Sequence, residues 1–159
     1  MEQSTPPAQL HIEARATARF MFDVTLGMSP RNAIELFTPE GERLWDHAWK
    51  PLYANVTDDR SIGTGTVFTT NAHEIRRIWI LDAYDPEAGL VRYTVFTPED
   101  NVTRIEVRVL AHGGGSVARV SYQRTSLNAR ADEAVERFAS HASLMRHEWQ
   151  SALDALPPR

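Results

Sequence analysis

The chain has 159 residues, 42% of them hydrophobic and 24% charged, which is the composition of one folded domain with a core of its own. Its formal net charge is −4 and its 17 Lys and Arg are dispersed, so it lacks the concentrated basic face that nucleic-acid binding needs. It contains no cysteine, which excludes disulfides, thiolate metal sites and a catalytic thiol, and fits a reducing cytoplasm.

Residues 1–10 are polar and carry Pro6 and Pro7, and read as a loose tail ahead of a single domain over 11–159. They lack the basic start and apolar run of a signal peptide, and no stretch approaches the roughly 20 apolar residues of a membrane span. The expectation is a soluble, cytoplasmic protein. From Ile12 to Leu26 one parity is apolar (Ile12, Ala14, Ala16, Ala18, Phe20, Phe22, Val24, Leu26), while the other carries Glu13, Arg15, Arg19 and Asp23. Alternation of period two predicts a strand with one buried and one wet face, ending at Gly27.

Ser29-Pro30 is a helix start, with a hydroxyl to cap and a proline where its missing N–H does no harm. Thr38-Pro39 repeats it, so two short helices follow in tandem, the second reaching about Trp45. Residues 46–59 show no steady period and read as a loop with a weak strand near Leu52–Val56, and Gly65–Thr70 is a strand. Then come strands over Ile75–Tyr84, Leu90–Thr97, Val102–Leu110 and Val117–Ser126, joined by short turns such as Asp85-Pro86-Glu87-Ala88-Gly89 and the Gly113-Gly114-Gly115 run. Such short links make antiparallel hairpins, so these strands form a meander.

The last segment is the clearest helix. Val135, Phe138, Ala142, Met145, Trp149, Ala152 and Leu156 recur at spacings of three and four, Asn128 is the expected N-cap, and Pro157-Pro158 ends it. From Ala131 to Leu156 it would be about 39 Å long at about 1.5 Å per residue.

This order of elements, with Ser29-Pro30, the Thr38-Pro39 helix reaching Trp45, Tyr84-Asp85-Pro86, Tyr122 and Trp149 in their places, resembles the START-like (SRPBCC) superfamily. That group includes polyketide cyclases, the birch pollen allergen family and activators of a heat-shock ATPase. The resemblance implies an α+β helix-grip fold: a curved antiparallel sheet of six or seven strands around a long C-terminal helix, with two short helices after strand one. It also implies a scaffold that binds, carries or transforms apolar molecules without choosing among these tasks. A lipocalin has no helices between its first two strands, and a nuclear-transport-factor-like cone begins with its long helix.

A sheet closing on one helix leaves a wedge to fill or keep hollow. Strand parity nominates Phe20, Phe22, Tyr93, Ile105, Val107, Val120 and Tyr122 to line it, and the helix nominates Phe138, His141 and Met145. Each is equally a candidate for plain core. Arg124 shares the apolar parity of Val120 and Tyr122, and either snorkels to water or anchors a ligand's anion. Asp82 has Ile78, Ile80 and Tyr84 on its own parity and Trp79, Leu81 and Ala83 on the other, so its facing is open. Facing inward it would pair with Arg124 or form a polar end to the pocket. Trp45, Trp49 and Tyr53, with Asp46 and His47 among them, fall at the expected pocket mouth and suit stacking on a flat ligand. His73 and His112 fall in turns and read as solvated.

No metal or cofactor motif is visible: the histidines lack zinc-helix spacing, Gly113-Gly114-Gly115 is a hairpin turn, and no serine sits in a nucleophile elbow. The expected partner is therefore a small apolar molecule rather than nucleic acid, with homodimerisation left open. Carriage of such a ligand is the leading reading. The alternatives are a cyclase- or aromatase-type enzyme using His141, Arg124 and Asp82 to move protons, and a co-chaperone-like interaction domain. The last is weakened by the charge of the outer parity (Arg104, Glu106, Arg108, Arg119).

Overall fold

The computed structural model describes residues 13–157, so Ile12 and the expected tail lie outside it. Strand β1 (Thr17–Leu26) buries Ala18, Phe22, Val24 and Leu26 and exposes the alternate residues, as the period-two pattern requires; Ala14 and Ala16 precede it. The Ser29 hydroxyl caps α1 (Pro30–Ala33) by accepting from the Asn32 N–H at 3.4 Å, and the helix tightens into a 3₁₀ turn over Ile34–Phe37. The Thr38 hydroxyl caps α2 (Pro39–Glu42), accepting from the Gly41 N–H at 3.0 Å and donating to the Glu35 carbonyl at 2.7 Å. Ile34, Leu36 and Phe37 are buried, so this pair of one-turn helices is held by its apolar side chains and its caps.

The remaining strands are β2 (Leu52–Tyr53), β3 (Val67–Thr70), β4 (Arg77–Asp85), β5 (Leu90–Thr97), β6 (Asn101–His112) and β7 (Gly115–Ser126). Together they make one antiparallel seven-stranded sheet in the order β1-β7-β6-β5-β4-β3-β2. The tandem helices therefore carry the chain from one edge of the sheet to the other. The C-terminal helix spans 26 residues as α3 (Ala129–Phe138), a 3₁₀ turn over Ala139–His141, and α4 (Ala142–Asp154), with the Asn128 side chain capping its start by accepting from Ala131 N–H at 3.0 Å. At the interruption the Ser140 hydroxyl donates to the Arg137 carbonyl at 2.6 Å, a back-bond that competes with the regular helical pattern.

The helix is fastened to the edge strand by polar side chains as well as by packing. The Gln150 amide donates to Thr25 O and accepts from Thr25 N, both at 2.9 Å, and Arg146 donates to Asp23 O at 3.1 Å. Gln150 thus occupies backbone groups of β1 that would otherwise be free to recruit another strand. No helix among the described residues is long and apolar enough to cross a membrane.

Candidate functional site

Between the inner face of the sheet and the helix lies a cavity of about 260 Å³. Its apolar wall is formed by Trp49, Trp79, Val95, Ile105, Tyr122, Phe138, Met145 and Trp149, and its polar wall by Glu42, Asp46, Thr70, His73, Arg77, Thr103 and Arg124. A narrow inner recess adds Phe37, Tyr93 and Val107. Aromatic rings interlock along this wall: Trp79 meets Trp49 edge to face at 4.9 Å and Tyr93 at 5.5 Å, while Trp149 meets Phe22 at 5.3 Å and Trp45 at 5.1 Å.

Of the residues nominated from sequence, Trp49, Ile105, Tyr122, Arg124, Phe138 and Met145 line the cavity, and Tyr93 and Val107 line its recess. Phe22, Trp45 and Val120 are core instead. The Trp45 indole is buried with its N–H on the Leu36 carbonyl at 2.8 Å, so it clamps the tandem helices and does not open to the mouth. Phe20 packs in a small cluster beneath α3, stacked on Tyr122 at 5.0 Å. Tyr53 is turned away, its hydroxyl donating to Glu40 at 2.6 Å.

Two nominations are corrected. His141 is exposed, because the 3₁₀ turn leaves it at the rim of the helix's apolar stripe, and only its ring edge approaches Phe138, at 6.4 Å. Asp82 is exposed on the outer face, where it accepts from the Thr94 hydroxyl. It is the extra residue of a β-bulge: Leu81 opposes Tyr93 and Ala83 opposes Arg92, so Asp82 has no partner in the register. The bulge also explains why neither parity of this strand was clean. Trp79 and Leu81 face inward before it and Tyr84 packs on the core after it, and an Asp82–Arg124 pair is ruled out by their opposite faces.

The polar wall was largely invisible in the sequence. Glu42, the last residue of α2, is partly buried and lines the cavity, with no ion-pair partner among the described residues. Burial, with a smaller contribution from the nearby Asp46, pushes it well above the ordinary value of 4.5. Tyr122 lies between this acidic side and the cationic one, and burial raises its phenol. Arg77 and Arg124 are half-buried, and desolvation lowers both, with Arg77 also repelling Arg124. Arg124 donates through Nε to the Thr103 hydroxyl at 2.8 Å and lies 3.7 Å over the Phe138 ring, so it neither snorkels nor pairs. His73, expected to be solvated, is exposed yet lines the cavity, held at φ 55° beside Glu74 at φ 62° in the β3–β4 turn. Among the described residues no cluster of three His, Asp or Glu side chains is placed to hold a metal ion.

The state of Glu42 has a testable consequence. A carboxyl whose folded value exceeds its unfolded 4.5 keeps its proton on folding, so it costs least below that pH and progressively destabilises as pH rises toward the folded value. Glu42→Gln, which cannot titrate, should match the parent's melting temperature near about pH 4 and exceed it increasingly toward about pH 8. A variant that melts lower at the upper pH would show the carboxyl to be ionised and held by a partner.

A second hollow, of about 360 Å³, lies on the outer face of the sheet. Its polar rim pairs with itself, Arg92 with Glu106 at 2.8 Å and Arg19 with Gln123 at 3.2 Å, so it is a solvated trough between satisfied side chains. The inner cavity is smaller, and it joins an aromatic wall to Glu42, Arg77 and Arg124, which have no ion-pair partner among the described residues.

No protein-family model matches the sequence, and a search of curated proteins returns no match. Solved structures do match. Truncated norcoclaurine synthase from Thalictrum flavum superposes with a TM-score of 0.68 at 13% identity, covering 94% of this chain and 100% of its own. Ginseng major latex-like protein 151 from Panax ginseng gives 0.64 at 17% identity over 89% and 99% of the two chains. Ara h 8.0201 gives 0.63 at 17% identity over 87% and 96%. The fold is a helix grip. In this helix-grip chain the space between grip and helix is the cavity built above, and the match at 12–17% identity speaks for the fold and not for what fills it.

Proposed function

We propose that this helix-grip protein binds and carries a small, flat, largely apolar molecule in the cavity between sheet and C-terminal helix. The observation that carries this reading is the cavity wall itself: three tryptophans, Tyr122 and Phe138, although packed edge to face among their neighbours, still border a hollow of about 260 Å³ that no side chain fills. A core of this size is ordinarily packed to crystal-like density, and leaving aromatic faces unopposed forfeits their contacts. A planar guest supplies those contacts.

The test uses N-phenylnaphthylamine, a neutral dye whose emission rises in apolar surroundings. It should bind the native protein with micromolar affinity, and Met145→Trp, which places an indole in the hollow, should weaken binding at least about tenfold while leaving the melting temperature within about 2 °C. Were the region packed core, the same change would overpack it and cost about 1–3 kcal/mol. No dye binding in the parent together with that loss would retire the carrier reading.

A catalytic reading of the same cavity has lost His141 and Asp82 and rests on Glu42. A carboxyl whose proton is held above the ordinary carboxylate range by burial, in the cavity beside Tyr122, is suited to act as a general acid. One structural neighbour is a synthase, which supports chemistry as a use of this scaffold. The interaction-domain reading finds no support in the outer face, whose charges pair among themselves.

A further inference from the structure

Arg77, at the start of β4, and Arg124, near the end of β7, rise from strands with β5 and β6 between them and line the same cavity on the inner face. Among the described residues neither has a carboxylate within ion-pair distance, although nine ion pairs form elsewhere on the chain. Arg124 spends Nε on Thr103, which orients the fork and leaves its terminal nitrogens without a protein acceptor; Arg77 has no side-chain acceptor at all. The nearest acidic influence common to both is Asp100, which acts through space and does not touch either. Glu42 and Asp46 line the same cavity but make no ion pair with either guanidinium.

Two partly desolvated cations with no carboxylate in contact, and only Asp100 acting on them from a distance, are an unfavourable arrangement. An anion between them removes the repulsion, fills the vacant donors and restores the charge balance of the site. Resting on the carrier reading above, we propose that the ligand is a small planar acid, with its carboxylate held by Arg77 and Arg124 and its ring system lying against Trp49, Trp79 and Trp149. A carboxylate suits the site better than a phosphate. Beyond the two forks the neighbouring polar groups are His73 and the hydroxyls of Thr70 and Thr103, and both hydroxyls are already engaged, with Trp79 and with Arg124. The planar guanidinium matches two coplanar oxygens.

The experiment compares three probes of nearly equal shape on the intact protein at neutral pH by calorimetry: naphthoate, naphthamide and naphthylmethylamine. Naphthoate should bind at least ten times more tightly than naphthamide, and the cationic amine most weakly. Arg77→Met and Arg124→Met, which keep the apolar stems, should each bring naphthoate down to the affinity of naphthamide. Equal binding of acid and amide, or tighter binding of the amine, overturns the acid assignment and leaves the carrier reading standing. Failure of all three probes, and of the neutral dye, brings down the cavity reading with it. The comparison of probes on the parent protein decides the matter even if an arginine variant fails to fold.

Discussion

Trp149→Ala should lower the unfolding free energy by about 3–5 kcal/mol, the range for an emptied aromatic site. The indole is the point at which four parts of the chain meet: it touches Phe22 of β1 at 5.3 Å, Phe37 of the 3₁₀ turn at 6.2 Å and Trp45 beyond α2 at 5.1 Å, all from its place on α4. It also forms one wall of the cavity. Removing it would merge the void it leaves with a hollow already present, so collapse of neighbouring side chains can recover little of the loss. Denaturant unfolding should show a lower midpoint with an unchanged slope, as expected when stability alone changes. A loss under about 1 kcal/mol would mean that α4 is docked by its polar contacts to Thr25 and Asp23 and not by this side chain.

A larger effect from a smaller change is expected at Gly41. A methyl group there would sit 1.8 Å from the carbonyl oxygen of Glu35 and 2.9 Å from the Leu36 Cα, both backbone atoms that cannot swing aside. Gly41→Ala must therefore separate α2 from the 3₁₀ turn on which it rests, at a cost of at least about 3 kcal/mol, the upper end for an overpacked site. Trp45 and Trp49 report the separation directly, because their indole N–H groups are held by the Leu36 and Pro39 carbonyls at 2.8 and 2.7 Å. Their release should shift tryptophan emission to the red. Gly63→Ala is the control: nothing lies within 4 Å of its added carbon, so its effect should stay within about 0.5 kcal/mol. A Gly41→Ala protein as stable as that control would mean that the two short helices are not in contact as described. The same separation would move Glu42, one residue on, away from the cavity.

Local rules made most of the elements legible. The alternation in β1, the caps at Ser29, Thr38 and Asn128, and the bounds of β5 (Leu90–Thr97) all follow from short-range chemistry written into adjacent residues. Their order was enough to indicate the helix grip. Where the pattern had one clean parity, as in β6 and β7, the inward residues Ile105, Val107 and Tyr122 were identifiable before any contact was known, while Arg124 on the same parity was left between water and the cavity.

What the sequence by itself could not decide falls into two kinds. One is phase: a single extra residue at Asp82 and a 3₁₀ turn before His141 each rotate side chains relative to the pattern, and both arise from local irregularities that a regular period cannot register. The other is convergence. Glu42, the His73–Arg77 segment and Arg124 are separated by tens of residues, and only the pairing of β4 with β3 and of β7 between β1 and β6, with α2 packed near them, brings them to one hollow. Charge and burial at that hollow are properties of the assembled wall, since desolvation depends on what surrounds a group in space and not on what adjoins it in the chain. The sequence by itself determined the scaffold, because that rests on periodicity; the tertiary structure decided which apolar residues border the cavity and where its polar groups lie, because that rests on which distant residues share one small volume.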